Sequence, residues 1–446
     1  MSNVLVNIFK VADIRKKVLF TLFILLIFRI GAHIPIPGVN IEALAAFFES
    51  ASQSGAGGLL KFFDLFSGGA LTRFTVFALG IMPYITASIV FQLLQVIVPS
   101  IEKIVKEGPE GRKKIQKWTK YLTLVLCFVQ SSSISIFLKA QLVPGFGKIV
   151  EMESDIAFYL LTALTITTGT MILMWLGELI TEYGVGNGIS LLIFAGIIVR
   201  FPSAIVDTAR RIISRSEPIV FIMLLVIFLA IVAGAILLTL GRRNIPLQFG
   251  KRQMGGRVTS QTLPIPVNAG NVMPIIFGVA IMQFPQVLTS LPVFKESNPI
   301  LDKIQIYLSP GQIPYLIIYT VLIIFFSFFY AAIAFNTEDV AKNLKRNQGF
   351  IPGIRPGSAT AEYLSRVLNR VTLTGAFFLA LIAITPDLLI RLFPSEISPS
   401  MAYMFGGTSL MIIVGVALDT LKQVESQLKM RHYDGFFKKG RMRGRR

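Results

Sequence analysis

At 446 residues, with 53% hydrophobic and 15% charged side chains and a mean hydropathy of +0.68, the chain falls outside the soluble class, whose charged fraction is about 25%. Its formal charge of +19 would suit nucleic acid, yet the basic residues cluster between apolar runs, where lipid headgroups or soluble partners would meet them. A single cysteine, Cys127, excludes an intramolecular disulfide and the two-thiol redox and zinc motifs.

A hydrocarbon core about 30 Å thick takes roughly 20 apolar residues of helix. Stretches of about that length begin near Val18, Phe74, Tyr121, Ala157, Ile189, Pro218, Val272, Pro314, Val371 and Met401. The expected fold is therefore an all-α polytopic membrane protein with ten transmembrane helices. The N-terminus, with Lys10, Arg15, Lys16 and Lys17, begins like a signal peptide, but the run from Val18 passes into RIGAHIPIPG without a small-residue cleavage site. It is expected to stay as the first span.

Between the first two spans lies Leu59, Leu60, Lys61, Phe62, Phe63, Asp64, Leu65 and Phe66. Eight residues give roughly 12 Å of helix, too little to cross, and Ser67-Gly68-Gly69 breaks it at once. Such a piece is either a stopper hinged at the outer end of a pathway or a loop helix resting on the bundle. In the second span, LGIMPYITAS is interrupted by Gly80 and Pro83, which are expected to let that helix bend.

Spans 6 and 8 are almost uniformly apolar and suit lipid. Spans 2, 5, 7 and 10 mix glycine, proline and hydroxyl side chains with isoleucine. Irregular helix at membrane depth is tolerated where protein or a water-filled cavity covers it. Close packing through small residues is the alternative for any one span, but four such spans favour a central pathway.

Placing the N- and C-termini in the cytoplasm puts most Lys and Arg on the inner side, in segments 99–120, 241–271 and 336–370. Segment 200–217, with Arg200, Arg210, Arg211 and Arg215, then lies outside and fits badly. Ten spans divide into halves of five, and an odd number re-enters the membrane inverted. The expected halves are residues 1–206 and 207–430, followed by a basic cytoplasmic tail, 431–446.

The acidic side chains Glu178, Asp387 and Asp419 fall at span ends, and neither H-E-x-x-H nor G-x-x-x-x-G-K-[ST] occurs. No enzyme chemistry and no cofactor is expected. A gated passage is left as the first reading and a secondary transporter for a small solute as its rival, the latter disfavoured by the lack of mid-span carboxylates.

FRIGAHIPIPG (28–38), FSGGALTRFTVFALGIMPYITASI (66–89), EYGVGNGISLLIFAGI (182–197), FGKRQMGGR (249–257), IPGIRPG (351–357) and FGGTSLMIIVGVALDT (405–420) resemble the SecY family, the channel subunits of the general protein translocase. The resemblance runs from about Lys10 to Met430. It implies two pseudo-symmetric inverted halves around a pore in the bacterial inner (plasma) membrane, hinged between spans 5 and 6. Unfolded secretory polypeptides would pass through it, and transmembrane segments would leave sideways into lipid.

By the same resemblance, the pore ring corresponds to Ile81, Ile85, Ile193, Ile276 and Ile412, and the plug to 59–66. The lateral gate lies along spans 2, 3, 7 and 8, where Gln92 and Gln130 are candidates for tuning it. Lys251, Arg252 and Arg355 are the docking candidates for the motor ATPase SecA or a translating ribosome. SecE and SecG are the implied small membrane subunits, and signal peptides and nascent polypeptides the implied cargo. An aliphatic ring suits cargo of any sequence, because it binds no particular side chain and resists wetting when narrow.

Overall fold

In lipid, a helix satisfies its own backbone N–H and C=O groups, and helix dominates this chain. The computed structural model describes residues 11–51, 64, 66–143, 146–215, 218–249, 261–290, 307–308, 312–392, 402–403 and 406–439. Its helices are α1 (Ala12–Gly31), α2 (Ile41–Ala51), α3 (Met82–Ile97), α4 (Pro99–Lys106), α5 (Pro109–Lys139), α6 (Asp155–Tyr183) and α7 (Gly188–Arg215). They continue with α8 (Pro218–Leu240), α9 (Met273–Ser290), α10 (Ile313–Ala334), α11 (Thr337–Arg346), α12 (Ser358–Leu392) and α13 (Gly407–Lys439).

Among the described residues, five helical stretches are long and apolar enough to cross a bilayer, or six if α3 and α4, bent by 100°, count as one. The sequence reading counts ten. Part of the difference is length: Gly188–Ser203, Leu225–Leu240 and Met273–Met282 are apolar but shorter.

The chain divides into two compact units. The first comprises Met1–Asp207, Val287–Asn298 and Val416–Arg446. In it α5 packs against α6 and α3, and α1 packs against α6. Ile36, Leu44, Phe74, Ile149, Phe158 and Ile166 form one core cluster. Ile14, Val185, Val424 and Leu428 form another. Lys120 reaches Glu178 at 2.7 Å, tying α5 to α6. Gly169 on α6 lets the chain approach closely, since a Cβ there would stand 2.0 Å from the Val76 carbonyl oxygen.

Two sequence expectations are corrected in this unit. The second span does not start near Phe74: residues 67–81 form a series of turns, and α3 begins at Met82. Gly80 has φ +56, a left-handed conformation open to glycine. Pro83 stands in the first helical turn, where its missing N–H costs nothing. Gly80 and Pro83 thus mark a helix start, not a bend within a helix. Segment 200–217 is also no loop over its described part, because α7 continues through Pro202 to Arg215.

The second unit comprises Thr208–Gln286 and Pro299–Gly415. Here α12 packs against α10, α11 and α8. Segments 241–271 and 336–370 hold a small antiparallel sheet with β3 (Arg242–Phe249) at its centre, flanked by β4 (Gln261–Pro266) and β5 (Gly349–Phe350). The first unit's β1 (Leu142–Val143) and β2 (Gly147–Lys148) are the remaining strands described. Along β3, Ile245 and Leu247 are buried while their neighbours are exposed, the period of two that a strand imposes. They join Ile265, Ala331, Ile351, Leu364 and Leu368 in one core. Asn336 caps α11 by accepting from the N–H groups of Glu338 at 3.1 Å and Asp339 at 3.2 Å, which satisfies donors a helix start leaves unpaired.

Candidate functional site: a gated path

Ile81, Ile85 and Ile193 belong to the first unit, Ile276 and Ile412 to the second, and all five are buried. Ile81 stands at the N-cap of α3, and its carbonyl accepts from the Ile85 N–H at 3.1 Å. The two residues are therefore one helical turn apart at the point where the span begins. Ile193 lies on α7, one turn before Gly196, which contacts the turn leading to α3. In the second unit Ile276 lies on α9 and Ile412 on α13. These two helices adjoin where Gly415 abuts the side chain of Val272.

Of the expected plug, Leu59, Leu60, Lys61, Phe62, Phe63 and Leu65 lie outside the described residues. Asp64 and Phe66 are described, and both are buried. Asp64 has no exposed surface. Its carboxylate accepts from the Thr72 N–H at 2.8 Å and from the Thr72 hydroxyl at 2.6 Å, and it forms an ion pair with Arg200 of α7. Arg200 Nη2 also donates to Thr72 Oγ1 at 2.9 Å.

The turn between Asp64 and Thr72 is held from two helices. Arg29, in the last turn of α1, donates to the Gly68 carbonyl at 3.0 Å. Gly68 and Gly69 have φ of +67 and +91, and a Cβ on Gly68 would stand 2.9 Å from the Cα of Gly196. Any other residue at Gly68 would meet both backbone strain and a backbone clash. Arg29 and Arg200 thus reach this turn from α1 and α7, and it is Arg200 that pairs with Asp64.

Gln92 donates to the Ser88 hydroxyl at 3.0 Å within α3, and Gln130 is half-buried on α5. The helices carrying them pack together, with the Phe91 and Trp118 rings 6.3 Å apart. Lys251 and Arg252 lie outside the described residues. Arg355 is exposed on a turn containing Gly353 at φ +82 and Gly357 at φ +121, and its carbonyl accepts from the Thr360 hydroxyl at 2.9 Å. That turn follows β5, whose Gly349 and Phe350 pair with Phe249 and Gln248 of β3. The sheet therefore joins the roots of both basic segments.

Sequence reasoning missed the partners of Asp64. Its one signal was Arg200, conspicuous as a basic residue on the wrong side of the charge rule. The strands were also missed, although the alternation at Ile245 and Leu247 was visible.

The family model for SecY matches residues 75–421. The protein translocase subunit SecY of Thermotoga maritima is 42% identical over 448 residues, spanning 99% of each chain. A solved SecY protein, whose plug domain stabilises the closed state of its translocation channel and maintains a membrane seal, superposes with a TM-score of 0.64. It is 21% identical, and the match covers 92% of each chain. Sec61 in a canine ribosome-channel complex from the endoplasmic reticulum gives 0.62 at 19% identity, again over 92% of each chain.

Proposed function

This chain belongs to the SecY family of protein-conducting channel subunits, and from that premise we propose which of its residues seal, gate and dock. It is a multi-pass membrane translocase through which unfolded polypeptides pass; nothing favours the solute-transporter reading. Ile81, Ile85, Ile193, Ile276 and Ile412 form the aliphatic constriction, with residues 59–66 as the plug beside it. The seam of spans 2 and 3 with spans 7 and 8 is the lateral gate, at which Gln92 and Gln130 lie. The ten spans form halves at 1–206 and 207–430.

Lys251, Arg252 and Arg355 dock a cytoplasmic partner, either SecA or a ribosome of the kind that the canine Sec61 complex holds. That assignment places both termini in the cytoplasm of a bacterial inner membrane, with SecE and SecG as neighbours. The chain performs no catalysis, and energy comes from the docked partner or the membrane potential.

One observation supports the pore assignment: Ile81 and Ile85 are buried at the start of α3, at the end of a run of turns whose first part is held by α1 and α7. A secretory chain stalled in transit tests it. With Cys127 replaced by Ala, a cysteine in place of Ile85 or Ile276 should crosslink to the stalled chain, and one in place of lipid-exposed Leu237 should not. Absence of the crosslink at both isoleucines would remove them from the path.

A further inference from the structure

We propose that Asp387 and Tyr403 are positioning residues: by fixing the start of α13 on α12 they set where Ile412 stands, a role that rests on Ile412 lining the passage.

Pro386 lies inside α12. A proline in a helix interior offers no N–H to the carbonyl four residues earlier, and its ring pushes that carbonyl aside. The Ile382 carbonyl is thus released from the helix ladder, and Gly406 and Gly407 come to this place. A Cβ on Gly407 would fall on the Ile382 carbonyl oxygen, and one on Gly406 would fall on the Pro386 ring. The two glycines of FGGTS therefore fill a seat that the proline makes.

Close contact through glycine leaves a helix free to slide or turn, and hydrogen bonds fix it here. Tyr403 Oη donates to Asp387 Oδ1 at 2.8 Å, and Ser409 Oγ donates to the Tyr403 carbonyl at 2.6 Å. Asp387, one residue past the proline, is thereby joined through Tyr403 to the first turn of α13. Asp387, Tyr403, Ser409 and Ile412 are all buried, and all belong to the second unit. Burying a carboxyl and a phenol costs free energy that hydrogen bonding recovers, so the register in which both bonds form is favoured over its neighbours.

Ser409 precedes Ile412 by three residues, so the two share a face of α13 and lie about 4.5 Å apart along its axis. A shift of the anchor at Ser409 is carried directly to Ile412. An aliphatic constriction selects nothing by specific contacts, so its stringency depends on how closely its side chains meet. That spacing is what Asp387 and Tyr403 govern on the α13 side.

The test uses the full translocase complex with Cys127→Ala and Ile412→Cys as the parent. The rate at which a small maleimide labels position 412 reads its placement, and crosslinking to a stalled secretory chain reads whether it lines the passage. Tyr403→Phe, which keeps the ring and loses the donor, and Asp387→Leu should each raise the labelling rate about tenfold and let precursors with weakened signal sequences translocate. Asp387→Asn keeps an oxygen acceptor for Tyr403 and should stay within about twofold of the parent. Ile265→Ala, which weakens the same unit away from α13, should leave labelling at 412 unchanged. Should Asp387→Leu fail to accumulate, Tyr403→Phe decides alone.

If the parent crosslinks but Tyr403→Phe labels at the parental rate, or Ile265→Ala raises labelling as much, the positioning role is overturned while the passage stands. If the parent gives no crosslink, Ile412 lies outside the passage and both readings fall.

Discussion

Gly169 and Asp64 show how single positions set what this chain can do. At Gly169 a side chain would meet the Val76 carbonyl at 2.0 Å, and backbone cannot give way as a side chain end can. Gly169→Val should therefore cost about 3 kcal/mol, seen as a lowered thermal unfolding midpoint of the purified complex. At Asp64 the sequence shows an acid near a Gly-Gly break and nothing more, because its partner Arg200 lies on a helix far along the chain. The break at Gly68 and Gly69, where φ is positive, was legible from residue type alone. Long-range ion pairing was not, since a charge announces neither its partner nor its direction.

Among elements, the apolar helices were legible because lipid leaves helix or closed barrel as the spanning choices. The start of the second span was not: Phe74–Leu79 are apolar enough to read as helix, and the break at Gly80 had to compete with that pattern. The sheet was hidden by Pro246, Pro264 and Pro266, residues that argue against a central strand. Its core still follows the usual rules. Ile265 is fully buried, so Ile265→Ala should cost about 2–5 kcal/mol and speed hydrogen exchange at the β3–β4 amides. Arg355 is exposed and adds little to that core, so Arg355→Glu should lower partner-driven translocation several-fold while leaving membrane insertion intact. Unchanged translocation would take Arg355 out of the docking surface.

For the whole molecule, the charge of +19 makes docking of an anionic partner salt-sensitive. Raising salt from 0.1 to 1 M shortens the screening length from about 10 Å to about 3 Å, and partner binding should weaken accordingly in a sedimentation assay, whereas the buried Asp64–Arg200 pair should be screened far less. Composition and motif order made the membrane class, the family and the pore candidates legible. Segment 200–217 resisted that reading because one of its charges serves an acid within the protein instead of the water outside it.

A channel that handles unfolded chains also has to avoid holding them. Any exposed strand edge is a template on which extended backbone can add itself. Among the described residues β4 forms one edge of the sheet, and β5 covers β3 at only two positions. Pro264 and Pro266 on β4 and Pro246 on β3 carry no N–H, so an extended backbone finds fewer donors along these strands to pair with. The prolines that hid the strands from sequence reading thus also thin out the hydrogen-bond donors along the sheet's margins.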